Sequence, residues 1–319
     1  MRLVSAVSAG FALLATPAFA DDAPKPDKSG YTLFNPTPAG AMRDFSPDRP
    51  AKLDSPYTVD AGHFQYETDG FVYTYDRYSF GGITTRTYTL PDPTLKLGLL
   101  NNVDIELTLA PYIRTTATTR STGNVTRASG FGDIITLLKV NLFGNDGGDA
   151  ALALIPYVKF PTAARNLGNN QVEGGVIAPL SLSIPRGFTL VLQTEIDAFK
   201  NANDSGKHAN FINLVNLSHD IVPRLTGSLE FFTDAVNDRG QSNIYTVDAA
   251  LAYLVTPQPA ARPRRESRRQ QGGSGHPGLF RHLATALSAS LGDESRIYAV
   301  FMPPPPTRSR FLMAEAPSL

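Results

Sequence analysis

Apolar and polar residues alternate with a period of two over much of the chain between residues 62 and 256, and no helical period is present. Val103–Leu109 alternates without a break, Leu225–Phe231 follows the same rhythm, and Leu190–Asp197 alternates in its second half, where Thr194 takes an apolar position. Because successive side chains of a strand point to opposite faces, each segment has one largely apolar and one polar face. The pattern predicts ten strands, over residues 63–79, 83–100, 103–115, 130–143, 150–161, 172–184, 188–200, 208–219, 224–234 and 243–255.

The lengths of these strands and their connections indicate a membrane barrel. Most strands exceed the 5–6 residues usual in soluble sheets, and a strand that crosses a bilayer at about 45° needs roughly 9–11 residues. Short turns at 101–102, 144–149, 185–187, 220–223 and 257–258 alternate with longer polar loops at 116–129, 162–171, 201–207 and 235–242. The first hairpin, near Gly81-Gly82, is the exception. This alternation is typical of outer-membrane barrels, so the fold predicted is an all-β, antiparallel transmembrane outer-membrane β-barrel with about ten strands present.

If the apolar residues face lipid, a set of charged residues must line the lumen, because Lys at the bilayer midplane costs about 2–4 kcal/mol. The lumen-lining candidates are Glu67, Lys96, Asp104, Glu106, Lys139, Lys159, Glu195, Asp197, Glu230 and Asp248. These residues either make the lumen selective for certain solutes or are simply solvated and have no selective role. Lys139 and Lys159 have a further alternative, which is to pair with acids on neighbouring strands.

Aromatic residues lie near many of the predicted strand ends. They are Phe71, Tyr73, Tyr75, Tyr112, Tyr157, Phe160, Phe188, Phe199, Phe231, Phe232 and Tyr253. Two interpretations apply: aromatic girdles at the level of the lipid headgroups, or the ordinary preference of aromatic residues for strands. The loop pattern, together with the signal peptide described next, favours girdles.

The N-terminus has the order of a secretory signal peptide. Met1-Arg2 is followed by an apolar stretch from Val4 to Leu14 and by Ala18-Phe19-Ala20, which predicts cleavage after Ala20 and export to a bacterial periplasm or outer membrane. The barrel pattern then predicts a bacterial outer-membrane location. Residues 21–56 are rich in Pro, Asp and Lys and are predicted to form an extended periplasmic leader. The barrel is then expected over residues 57–258. Cysteine is absent from the chain, which excludes a disulfide framework.

Several motifs resemble those of one bacterial family. Asp48-Arg49-Pro50 and Asp54–Gln65 are similar to its opening signature, and Gly130-Phe131-Gly132-Asp133 with Lys139, together with Pro156–Thr162, look like its later motifs. The family is the meta-pathway-of-phenol-degradation outer-membrane family, whose members are often labelled simply "transporter". The resemblance covers about residues 48–258. It implies an outer-membrane barrel, with twelve strands expected in an intact member, that passes hydrophobic or aromatic compounds.

Residues 259–319 differ from the rest of the chain. They hold nine Arg, no Lys and four acids, although the whole chain has 29 basic and 29 acidic residues. Dropping the first base of codon 259 permits the reading LQLDPGVNLGVNKAAADIQAYSGISRR. This reading contains two segments of alternating apolar and polar residues, which are separated by a polar connection. We therefore interpret the tail as an aberrant, frameshifted and disordered segment that replaces the last two strands. The competing interpretation is a genuine basic tail that binds nucleic acid or anionic lipid.

The sequence offers little catalytic or metal-binding chemistry. His63 and Glu67 would lie about 13 Å apart on a strand, at roughly 3.3 Å per residue, and His208 with Asp204 falls in a predicted loop. We therefore predict no metal, no cofactor, no catalytic residue and no nucleic-acid partner. The expected partners are outer-membrane lipid, the barrel-insertion machinery and a small hydrophobic or aromatic solute. Passive passage of such solutes is the leading function, and the alternatives are an outer-membrane barrel enzyme of the lipid-hydrolase type and a structural barrel with a plugged lumen.

Overall fold

The computed structural model describes residues 27–49, 51–79, 82–202, 205–238, 241 and 243–253. They form fourteen strands and two single-turn 3₁₀ helices, at Ala39–Ala41 and Pro185–Gly187. The strands are β1 Phe64–Asp69, β2 Val72–Ser79, β3 Ile83–Thr89, β4 Asp92–Leu100, β5 Val103–Thr108, β6 Ile113–Thr119, β7 Val125–Gly130, β8 Ile134–Phe143, β9 Ala150–Phe160, β10 Glu173–Ile184, β11 Phe188–Lys200, β12 Lys207–Val222, β13 Leu225–Val236 and β14 Ile244–Tyr253.

Ten of these strands form one antiparallel sheet, the main sheet. Its order is β1-β4-β5-β8-β9-β10-β11-β12-β13-β14, so that neighbours in the sheet follow one another along the chain apart from two insertions. The ten strands correspond in number and order to the ten predicted segments, and the all-β antiparallel class is confirmed. Among the described residues β1 and β14 each pair on one side only, so the sheet is consistent with a barrel but is not closed.

The four remaining strands form a small sheet in the order β2-β3-β6-β7. It arises because each of the first four predicted segments is interrupted, at 70–71, 90–91, 109–112 and 131–133. These interruptions contain glycine or proline, which weaken or terminate strands, and they are joined by backbone hydrogen bonds such as Leu90 N to the Tyr112 carbonyl at 2.9 Å. The prediction of four unbroken strands was therefore wrong.

The small sheet also accounts for the missing long loop near residue 81. The predicted loop at 116–129 is instead a hairpin of β6 and β7, and β2 with β3 forms the equivalent hairpin between β1 and β4. Threonine is polar, but it is β-branched and favours strands. A prediction that assigned this polar stretch to a loop therefore missed the hairpin. Both hairpins lie at the end of the main sheet that carries the longer connections.

The main sheet has an exposed apolar face and a buried polar face. On β12, for example, Phe211 and Val215 are exposed, whereas Asn210 and Asn216 on the opposite face are buried. The same alternation marks β11, where Leu192 and Ile196 are exposed and the residues between them are mostly polar and buried. This is the reverse of the arrangement in water-soluble proteins, whose charged residues are almost never fully buried.

No helix in the described ranges has the length and apolarity needed to cross a membrane. The predicted signal peptide with its cleavage site after Ala20, and the predicted frameshifted tail at 259–319, lie outside the described residues.

Candidate functional site

The polar face of the main sheet is covered by a segment from near the N-terminus. This inner segment, residues 43–49 and 51–60, lies mostly within the predicted leader and contains no strand. It donates backbone hydrogen bonds to side chains of three main-sheet strands: Val59 N to Asp104 Oδ2 of β5 at 2.7 Å, Asp54 N to Gln193 Oε1 of β11 at 2.8 Å, and Lys52 N to Glu230 Oε1 of β13 at 3.3 Å. The inner segment therefore runs across the polar face and contacts both the early strand β5 and the late strands β11 and β13.

Asp48 of the inner segment lies between two buried lysines. It pairs with Lys96 of β4 and, at 3.2 Å, with Lys139 of β8. Lys96 also pairs with Glu67 at 2.7 Å, and Lys139 with Glu106 at 2.9 Å. The Lys139 side chain is completely buried. Because a buried charge is tolerated only when it is paired, this cluster depends on Asp48 being in place.

Lys52 makes the corresponding contact with the last strands. Its ammonium pairs with Asp248 of β14, donates to Thr246 Oγ1 at 2.8 Å, and lies 5.0 Å from the ring centre of Phe232. Glu230 accepts the Lys52 backbone N–H and a hydrogen bond from Asn216. The inner segment thus carries an acid to the lysines of the early strands and a lysine to the acids of the late strands.

One end of the inner segment is fixed near the short turns. Arg43 donates to Asp146 at 3.1 Å and to the Thr58 carbonyl at 2.8 Å, and Lys28 donates to Asp146 at 2.7 Å. Burial raises the pKa of Asp146, but hydrogen bonds from Lys28 and Asn101 and the charge of Arg43 outweigh that effect and bring the pKa below its usual value. The carboxylate form of Asp146 is therefore the one that anchors this end.

Gly98 of β4 allows the inner segment to pack directly on the sheet. A side chain at this position would overlap the backbone carbonyl of Asp60. Gly98 also exchanges hydrogen bonds with Gly62 and His63, at 2.9 and 3.0 Å. A glycine in the strand here permits the close approach of a second backbone.

A second polar cluster lies at the end of the sheet with the longer connections. Lys159 of β9 pairs with Asp133 at 3.0 Å and with Glu173 of β10 at 2.9 Å. Thr162 Oγ1 accepts the Ile134 N–H at 2.9 Å. The two later motifs of the family resemblance, around residues 130–133 and 156–162, are therefore in contact with each other.

The structure brings the ten lumen-lining candidates onto one face. Nine are buried, with exposures of 6% or less, and the Asp248 side chain is 11% exposed. In the strand register Lys96 lies opposite Glu106, Asp104 opposite Lys139, and Glu230 opposite Asp248. Lys139 and Lys159 do pair with neighbouring acids, the alternative considered from the sequence.

The aromatic residues divide between the two faces. Phe71, Tyr75, Tyr112, Phe160, Phe231 and Tyr253 are exposed. Tyr157 and Phe232 are buried on the polar face, where the Tyr157 hydroxyl donates to Asp197 at 2.6 Å. Assigning these two to girdles was wrong, because each lies two residues from an inward-facing charge, Lys159 and Glu230, and so shares its face.

Sequence reasoning missed the residues that the inner segment and the loops contribute. Asp48, Lys52 and Leu53 belong to a stretch without periodicity, which gave no signal of burial. Asp133 and Glu173 are the partners of Lys159 and stand beside strand ends. The one available signal was the resemblance itself, because Asp48 and Asp133 belong to quoted motifs.

The described histidines bond to oxygens of the surrounding structure. His63 contacts the Thr37 carbonyl at 2.7 Å, His208 the Asn201 side-chain oxygen at 3.0 Å, and His219 the Arg186 carbonyl at 3.1 Å. Within the part of the chain that the structure describes, no group of three or more His, Asp or Glu residues is placed to hold a metal ion.

No curated protein matches the chain at a significant level. The profile of the family described as "Putative MetA-pathway of phenol degradation" matches residues 47–272, beginning within the inner segment and ending beyond the point at which the resemblance was expected to stop. Because this match covers more than half of the sequence, the chain belongs to that family.

Proposed function

We propose that the protein is an outer-membrane barrel that gives small, apolar or aromatic solutes passage across the bacterial outer membrane. The observation that carries the proposal is the inverted polarity of the main sheet. Val247 and Leu229 on one face are 76% and 61% exposed, while Lys139 and Asp104 on the other are 0% exposed. A large apolar side chain left in water forgoes about 1.5–3 kcal/mol, so a surface built from many of them is stable only against another apolar phase such as lipid.

Two further observations support this function. The family name associates the chain with phenol degradation, which suggests aromatic solutes. The described polar face has more carboxylates than ammonium groups, and Asp197 and Glu195 stand on a strand of this face that carries no lysine before residue 200. An acidic passage favours neutral and cationic solutes over anions.

The proposal is tested by uptake of N-phenyl-1-naphthylamine, an uncharged aromatic dye that an intact outer membrane excludes. Cells that produce the chain with one base deleted before codon 259, so that it follows the alternative reading, should take up the dye several times faster than cells with an empty vector. The matched control carries Ala18→Asp and Ala20→Asp, which destroy the predicted cleavage site and should abolish the increase. Recovery of this repaired chain as a soluble periplasmic protein, or its correct localisation without faster uptake, would overturn the proposal.

A structural barrel with a plugged lumen is the second candidate, and the inner segment favours it. This segment buries much of the polar face and is held by ion pairs at Arg43, Asp48 and Lys52. A permanently plugged barrel would reach the outer membrane without raising dye uptake, so the same experiment separates the two functions.

A further inference from the structure

The polar face contains two buried apolar patches that differ in composition. One consists only of strand residues: Leu137, Ala153, Ile155, Tyr157 and Ile177. The other combines Val191 of β11, Ile212 and Leu214 of β12 and Phe232 of β13 with Leu53, which belongs to the inner segment. We call the four strand residues of this second group the apolar patch. It is a patch that takes an apolar side chain from outside the sheet.

The backbone on both sides of Leu53 is held at the rim of the apolar patch. Lys52 N–H donates to Glu230 and Asp54 N–H donates to Gln193, so the residues before and after Leu53 are bound to β13 and β11. Leu53 itself is 7% exposed, and Ala51 packs against the same patch. A single apolar side chain is therefore inserted between polar anchors, as a ligand would be in a pocket with a few polar groups at its edge.

We propose that the apolar patch is a binding subsite for a small uncharged aromatic or aliphatic solute and that Leu53 occupies it as an internal competitor. The inference rests on the proposed passage of such solutes, since it names the place on the route where they bind. Displacement of Leu53 uncovers the four apolar side chains of the patch, and the Phe232 ring among them offers the solute an aromatic neighbour. The solute enters when the inner segment leaves the patch.

The occupant follows from the surroundings of the patch. Gln193, Asn216 and Glu230 lie two residues from patch residues on the same strands and are buried on the same face. Glu230 accepts a hydrogen bond from Asn216, so it has a partner on the sheet itself. A charged solute would have to give up its water at four apolar side chains, which is costly. An uncharged ring replaces Leu53 without that cost.

The test uses fluorescence, because the chain contains no tryptophan. In the full-length chain, Ile244→Trp places a single indole beside the patch, where Ile244 packs against it. The probe is 4-nitrobenzyl alcohol, an uncharged aromatic compound that quenches indole emission. Adding Leu53→Ser should lower the half-quenching concentration by about tenfold or more, because the internal competitor no longer fills the patch.

Two matched variants separate the subsite from general loosening. Leu214→Asn, added to Leu53→Ser, should remove the gain because it places an amide in the patch. Leu192→Ser lies on β11 next to Val191 but on the exposed apolar face, and should leave the half-quenching concentration unchanged. Equal quenching with and without Leu53→Ser, or an equal gain from Leu192→Ser, would overturn the proposal.

A reversible cross-link decides the question if Leu53→Ser does not fold. Leu53→Cys with Leu214→Cys introduces two cysteines into a chain that has none. The oxidised form should hold the inner segment on the patch and abolish quenching of the Ile244→Trp reporter, and reduction should restore it. Failure of the two cysteines to form a disulfide, or quenching that does not respond to it, would contradict the proposal.

The subsite and the proposed function can fail separately. If quenching depends on Leu53 but dye uptake by cells does not rise, the subsite is established and passage is refuted. If dye uptake is rapid but quenching is the same with and without Leu53→Ser, passage is established and the subsite is refuted.

Discussion

Replacing Lys139 by Met is expected to destabilise the protein by about 3–5 kcal/mol, the range for removing one partner of a buried ion pair. The Lys139 ammonium is fully buried and bonds to Asp48 and Glu106. Without it, these two carboxylates share the single remaining lysine of the cluster, Lys96. The measurement is the free energy of unfolding from urea titrations of the full chain refolded in detergent micelles.

Two companion variants show whether charge pairing causes this loss. Lys207→Met removes an exposed lysine whose ammonium donates to the Val172 carbonyl at 2.6 Å, and should cost only about 1 kcal/mol. Glu106→Gln, added to Lys139→Met, removes one of the orphaned carboxylates and should recover part of the lost stability. A loss no larger than that of Lys207→Met would mean that the cluster is solvated rather than buried.

Deleting one base before codon 259 is expected to change membrane insertion more than any single substitution. β1 and β14 are the ends of the main sheet and, among the described strands, each pairs on one side only. In hydrocarbon each unsatisfied backbone group costs several kcal/mol, so roughly ten such groups amount to tens of kcal/mol. The alternative reading encodes two further alternating segments, which would bring the strand number from ten to the twelve that the family resemblance implies.

The measurement is the fraction of each chain that becomes heat-modifiable and protease-resistant in lipid vesicles. The repaired chain should insert efficiently and the 319-residue chain poorly. A matched control deletes three bases at the same place, which removes one residue but keeps the frame, and should insert no better than the parent. If the parent inserts as well as the repaired chain, the frameshift hypothesis is wrong.

Most of what could be predicted of the fold came from the alternation of apolar and polar residues with a period of two. β11 lies at Phe188–Lys200, as predicted, and the lumen-lining candidates share one buried face because their parity along each strand is fixed by the pleat. The same parity was available for Tyr157 and Phe232 but was overruled by their position near strand ends. Local alternation was therefore a better guide to orientation than residue type.

The inner segment could not be predicted by the same means. Its contacts join Asp48 to Lys139 and Lys52 to Asp248, residues separated by 91 and 196 positions in the chain. An extended segment that contributes single side chains to distant strands needs no period of its own. The pairing of its charges with those of the polar face depends on the tertiary structure. The sequence showed only that charged residues were present both in the inner segment and on the strands.

The central claim, that the apolar face of the main sheet meets lipid and the polar face lies inside, is tested most directly on β12. Because residues 1–258 contain no cysteine, a spin label can be placed at each of residues 211–216 in turn, in the repaired chain reconstituted in lipid vesicles. Phe211, Asn213 and Val215 are exposed and Ile212, Leu214 and Asn216 are buried, an alternation that the residue types alone do not reveal. Labels at 211, 213 and 215 should collide frequently with dissolved oxygen, which concentrates in lipid, and rarely with a water-soluble nickel complex, while labels at 212, 214 and 216 should show low access to both. Alternation of the opposite phase, or strong access to the nickel complex at 211, 213 and 215, would contradict the claim.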